Sequence, residues 1–412
     1  MHLRFSALAV SAVLVLCACA TGSQSHQSSP PPSTVTVTVG PPSPEPAPSG
    51  PAAVTPLVGS VIAVPMPVAG TDGMTHLAYE LQLSNAIPQE VTLTSVAVVA
   101  ADKVLLTLSG EHLTSSTRRL GNPSPTATLR PSETALVWLD VALDESAGIP
   151  SDISHTIGIA VAEPPPPLTQ PTMTETIAAT TVDSRKPVTV SPPLTGAGWA
   201  AVNACCDTNP HRMAANPING ALWLAERFAI DYLQLTPDGR IFNGDKADLR
   251  SYPGFGAGVH AVADGTVVAV VDNLAEQVPG ASPADLPLEQ YAGNRVIQDI
   301  GGGNFVLYAH LQTGSVKVEA GDRLTTGQML AAVGNTGNTD APHLHFQLMS
   351  TPDPLRSNGI PFVFDEFRLD SRIAPTAEET SDAPVQMQHG VPPGDRSYRM
   401  PLNGDVMTYP DR

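Results

Sequence analysis

Along residues 76–85 (HLAYELQLSN), Leu77, Tyr79, Leu81 and Leu83 fall at every second position against polar or small neighbours. The runs EVTLTSVAVV (90–99) and ALVWLDVAL (135–143) share that period of two. Alternation of this kind places one face of a strand in a core and the other in solvent. Turn-forming clusters, AGTDG (69–73) and SNAIPQE (84–90), separate the runs. Residues 57–162 therefore read as an antiparallel β-sandwich of immunoglobulin-like type. A second set of short strand patterns, GTVVAVV (265–271), NRVIQDI (294–300) and NFVLYAHL (304–311), is divided by glycine turns. It marks a second, β-rich domain over 192–372. Between the two, 163–191 opens on EPPPPLTQP and reads as a stiff linker. Residues 373–412 contain few core formers and are expected to be disordered. The fold class is mainly β throughout.

The two ends of the apolar scale change this picture at the N-terminus. A basic start at His2 and Arg4 precedes an apolar run over 5–16, too short to span a bilayer, which ends in small residues and cysteine. Residues 1–18 read as a secretory signal. The tetrapeptide LCAC (16–19) resembles a bacterial lipobox, with Cys19 as the lipidated residue because small Ala18 precedes it. The expected product is extracytoplasmic and held to the membrane by a lipid anchor. Residues 19–56, rich in Ser, Thr, Pro and Ala, then form a flexible tether. The proline count of 42 among 412 residues comes largely from such segments. A formal net charge of −18 argues against nucleic acid as a partner, since phosphate binding needs clustered cations.

Histidines and acids carry the candidate chemistry. In APHLHFQL (341–348), His343 and His345 stand two residues apart, so on a strand they share one face while Leu344 and Phe346 take the other. His310 ends the strand pattern NFVLYAHL, and Asp231 sits in the apolar run ERFAIDY, where a carboxylate needs a partner such as a metal. His76, His112 and His155, scattered through the first domain, read as solvated. So does His389. The adjacent Cys205 and Cys206 could form a disulfide, remain two buried thiols, or neighbour a metal.

The segments AIDY, GVHAVADGTVVAV, GNRVI, YAHLQTGSVKVEAGDRLTTGQML and GNTGNTDAPHLHFQL, in that order over about 229–349, resemble the lysostaphin-type (M23) zinc metallopeptidases. The resemblance implies a β-rich domain with an open groove, one Zn2+ held by three protein ligands, and hydrolysis of peptide bonds in peptidoglycan. Carried over residue by residue, it makes Asp231 and His345 zinc ligands, His343 the general base, and His310 the group that orients water and stabilises the oxyanion. One position departs. The family's H-x-G-x-D motif reads RFAID here, with Arg227 in place of a ligating histidine. A guanidinium stays protonated and cannot ligate, and Arg227 would repel the cation unless an acid such as Glu226 neutralised it. His211 is the candidate replacement. The turn NPING (216–220), taken as a hairpin centred near Ile218, puts His211 opposite Ala225, about two residues from Arg227. Cys205 or Cys206 could serve less directly, and His211 could equally be a turn residue beside Arg212. Insertions at about 234–255 and 273–292 are expected near the groove. The alternative to a peptidase is a degenerate member of the same fold, which binds peptidoglycan or activates another hydrolase. A Cys–His hydrolase built on Cys205 or Cys206 would leave the H-x-H strand unexplained.

Overall fold

The computed structural model describes residues 52–281, 283, 285–375 and 383–411. The signal over 1–18, Cys19 and the tether up to residue 51 lie outside them. From Ala53 on the chain packs as one unit. No helix among the described residues is long and apolar enough to cross a membrane.

The alternating runs form two facing antiparallel sheets, as expected. One is ordered Leu57–Val61, Met74–Asn85, Thr134–Asp144, Thr117–Arg119. The other is ordered Thr172–Thr181, Asp152–Val161, Val91–Ala100, Lys103–Ser109. Leu77, Tyr79, Leu81 and Leu83 are fully buried between them, against Val96, Val98, Val137, Leu139 and Ile157. Two readings are corrected here. The linker reading of 163–191 fails because Thr172–Thr181 completes the second sheet beside Asp152–Val161. The solvated reading of His76 and His155 fails because both are buried. His155 Nε2 meets the Tyr79 hydroxyl at 2.8 Å. His76 is wedged between Asp140 (3.0 Å) and Asp72 (3.3 Å), and these carboxylates outweigh burial and push its pKa up to about 10.

The strand Met74–Asn85 has no solvent face along its middle. Its even positions Ala78 and Glu80 are 1% and 0% exposed because they pack against the second domain. Trp138, directly opposite Glu80, is buried on the same face.

The second domain is organised on one long sheet. Its order is Val188–Val190, Phe362–Arg372, Asp405–Tyr409, Gly196–Val202, Ile230–Gln234, Leu344–Met349, Phe305–Ala309, Arg295–Asp299, Gly265–Val271, Arg323–Leu324. Pairing is antiparallel apart from the first pair. The disordered-tail reading of 373–412 is therefore wrong for its described part. Asp405–Tyr409 inserts between two strands of this sheet, burying Met407 and Tyr409, and Gly394–Arg399 pairs along Phe362–Arg372. Five residues with three apolar members give little signal by themselves. Their burial comes from the flanking strands, which supply both hydrogen-bonding edges and the rest of the core.

Three adjacent strands position the candidate chemistry. Asp231 pairs in register with His345, and Ala309 pairs with His345 from the other side. The central strand thus carries one candidate between its two neighbours. Leu344 and Phe346 are fully buried in the core beneath, as the period of two requires.

A candidate metal centre

His211, Asp231, His310, His343 and His345 converge in one cleft of about 260 Å³, which Asn203, Glu226, Tyr291, Thr339 and Gln347 help to line. Three of them cluster as a metal would require. The donor atoms of His211, Asp231 and His345 all lie within 4.8 Å of one another. His211 Nε2 stands 3.1 Å from Asp231 Oδ2, and His345 Nδ1 stands 2.9 Å from Asp231 Oδ1. Ligands bonded to one tetrahedral zinc at about 2.0–2.2 Å lie roughly 3.3–3.6 Å apart, so small adjustments would admit the ion.

The opposite ring nitrogens are held in a way that suits ligation. His345 Nε2 donates to Gln347 Oε1 at 2.8 Å, leaving Nδ1 for a cation. His211 Nδ1 faces the Ala229 carbonyl at 3.4 Å, leaving Nε2. Asn203 Nδ2 donates to Asp231 Oδ2 at 3.0 Å and orients the carboxylate. Such outer contacts fix the tautomer and direction of ligating groups. Two imidazoles and a carboxylate form an N/N/O set of the kind that holds a catalytic zinc.

The remaining two histidines sit beside this trio. His343 Nε2 is 3.3 Å from Asp231 Oδ1, while its Nδ1 donates to the Ala341 carbonyl at 2.8 Å. His310 Nδ1 donates to the Thr336 carbonyl at 2.7 Å, and its ring lies 4.7 Å from that of His343. The loop carrying Thr336 is drawn in by a close backbone approach. A Cβ on Gly337 would stand 2.3 Å from the Gly293 nitrogen, so only glycine fits there.

Charge ties the cluster together. Burial works against the Asp231 carboxylate, but His211 and His343 beside it hold its pKa well below the usual range. Burial likewise opposes protonation of His211, yet Asp231 outweighs it and lifts the imidazole to about 9. His343 is also raised, burial again being outweighed by Asp231. His310 is pushed well below its ordinary value, by burial first and then by His343 and His345. A cation entering at neutral pH must displace the His211 proton. Zinc affinity should therefore rise from pH 6 toward pH 9 by up to about tenfold per unit for each proton displaced, with matching proton release in calorimetry run in two buffers. A flat profile would contradict the assignment of His211.

The route by which His211 arrives differs from the hairpin expected. The hairpin exists, with Asn216–Ile218 paired to Ala221–Trp223, but it is centred past Ile218 and stops short of His211. His211 stands instead on a one-turn helix, Pro210–Met213, whose N-cap Asn209 accepts from the Arg212 amide. Arg227 is also not where the expectation placed it. It turns away from the cleft and pairs with Glu80 of the first domain at 2.6 Å, so Glu226 is not its partner. Cys205 and Cys206 are disulfide-bonded to each other, which removes both as ligands. Of the two insertions, 273–292 reaches the cleft: Glu276 accepts from the Asn335 amide at 2.6 Å and Tyr291 lines the wall. Residues 234–255 instead border a separate cavity near Leu235 and Ile241. Asn203 and Gln347 escaped the sequence reading. Gln347 was findable, since positions 343, 345 and 347 share one strand face. Asn203 lies 28 residues from Asp231 with no spacing to mark it.

A mainly β domain that gathers an N/N/O donor trio and two further histidines in one cleft is of the metallopeptidase type. Residues 248–357 match the sequence model of peptidase family M23. The matched segment takes in His310, His343 and His345 and begins after His211, Arg227 and Asp231. A curated relative, the peptidoglycan DD-endopeptidase ShyA of Vibrio cholerae, is 34% identical over 67 residues, which is 16% of this chain and 15% of that protein. Among solved structures, the catalytic domain of lysostaphin from Staphylococcus simulans is matched at 19% identity and a TM-score of 0.21, over 41% of this chain and 88% of that one. A zinc-containing peptidase from Vibrio cholerae is matched at 14% identity and a TM-score of 0.25, over 69% and 80%.

Proposed function

We propose that the protein is a zinc endopeptidase that hydrolyses peptide bonds of peptidoglycan outside the cytoplasm, tethered to the membrane through lipidated Cys19. The observation that carries the reading is the convergence of His211, Asp231 and His345, with His343 and His310 facing the same point. Bound there, zinc would polarise the scissile carbonyl and acidify a water toward neutral pH. The chain's own groups do the rest. His343, with Nδ1–H committed to Ala341, presents Nε2 as the base that takes a proton from the attacking water. His310, with Nδ1–H committed to Thr336, presents Nε2 in its neutral form as an acceptor that orients that water. Glu226 and Asn338 wall the cleft that receives the peptide.

Arg227 at the expected ligand position is what favours the degenerate, non-catalytic reading. That reading loses this support, because Arg227 is turned to Glu80 and His211 stands at Asp231. The test is digestion of purified peptidoglycan by the zinc-loaded full chain, with products read by mass spectrometry. New peptide termini that vanish with chelator and return with zinc are expected. Intact peptidoglycan from a wild-type protein shown to hold zinc would favour the non-catalytic reading. For the anchor, Cys19→Ala should move the protein from the membrane to the soluble fraction; unchanged fractionation would remove the lipid from the account.

A further inference from the structure

The four-residue helix that carries His211 is too short to hold itself. What holds it comes from the other domain. Arg212, the next residue, is 1% exposed and donates through Nη2 to Glu80 Oε1, to the Tyr79 carbonyl and to the Leu139 carbonyl, each at 3.2 Å. Its other amino group meets the Cys206 carbonyl. Trp138 Nε1 donates to the Arg212 carbonyl at 2.7 Å. Glu80 and Trp138 are cross-strand partners, so one point of the sandwich face grips both the side chain and the backbone of this turn.

The same carboxylate reaches the second support of His211. Arg227 Nε donates to Glu80 Oε1 at 3.1 Å and to Oε2 at 2.9 Å. Two residues on, the Ala229 carbonyl faces His211 Nδ1. Glu80, 0% exposed, therefore ties together the segment that bears His211 and the segment that orients its ring. Without the Glu80 carboxylate, the two buried guanidiniums of Arg212 and Arg227 would lose the counter-charge they share.

We infer that Glu80, seconded by Trp138, is a positioning residue for the metal centre: the sandwich domain holds His211 against Asp231 through Arg212 and Arg227. This rests on the zinc-site reading above. It also gives Arg227 a purpose: the residue at the family's ligand position anchors the replacement ligand.

The test compares full-length wild type, Glu80→Gln, Trp138→Phe and His211→Ala. Each is titrated with zinc against a chromophoric chelator, and with cobalt(II) followed by its visible d–d absorption. Glu80→Gln should weaken zinc binding about 10–100-fold, in the range for lost outer contacts. Trp138→Phe should weaken it by a smaller factor, and both cobalt spectra should move toward that of His211→Ala. A purely structural role would lower the melting temperature and leave the cobalt spectrum and the affinity of the folded protein unchanged. If Glu80→Gln does not fold, Trp138→Phe decides. A wild-type chain that binds no zinc sinks the site itself. A wild type that binds zinc, with the folded variants within twofold of it and spectra unmoved, overturns the positioning role.

Discussion

Replacing His343 by alanine should lower kcat on peptidoglycan fragments by roughly 10²–10⁴-fold, or about 2.7–5.5 kcal/mol of barrier, while leaving zinc in place. The proposed base and the proposed ligands differ in position. His343 Nε2 reaches Asp231 Oδ1 at 3.3 Å but stands outside the donor trio, and its Nδ1 is committed to Ala341 with Thr339 Oγ1 also near at 3.3 Å. On the proposed role, removing it would strip the proton acceptor from the water and spare the three donors. Steady-state kinetics paired with metal analysis checks both halves. Activity within threefold of wild type would remove the base assignment. Zinc loss equal to that of His345→Ala would make His343 a ligand instead.

Asp231→Asn should have the larger effect on metal. The carboxylate is the one negative group that His211, His343, His345 and Asn203 share, at 3.1, 3.3, 2.9 and 3.0 Å. Asparagine keeps the shape and removes the charge. If zinc binding worth about 10–16 kcal/mol is spread over four ligand positions, the variant should lose on the order of 10²–10³-fold in affinity. Activity at limiting zinc should fall with it. The substitution also removes the group that lifts His211 to about 9, so the rise of affinity between pH 6 and 9 should flatten. Zinc competition at two pH values measures both effects. Undiminished affinity would place the ion elsewhere in the cleft.

Much of this was legible in the chain. The period of two announces the sandwich strands, the H-x-H spacing marks His343 and His345, and the apolar run around Asp231 marks the acid. What was not legible has a common physical cause. Strand Met74–Asn85 alternates as if half-solvated, so Glu80 and His76 look like surface residues, and only the packed second domain shows both faces buried. A carboxylate 132 residues from Arg212 and 147 from Arg227 leaves no local signature. The strand at 405–409 is hidden for a similar reason, since its core is supplied by neighbours far away in sequence. His211, singled out by the vacancy that Arg227 creates, is brought beside Asp231 by a capped helical turn rather than by a hairpin.

On the proposed function, one zinc sits among His211, Asp231 and His345. Anomalous diffraction at the zinc edge from crystals of the zinc-loaded protein tests it most directly. The account predicts a single strong peak in the cleft within about 2.0–2.2 Å of His211 Nε2, an Asp231 oxygen and His345 Nδ1. A peak that excludes His211, or no peak in the cleft of a fully loaded protein, would contradict it.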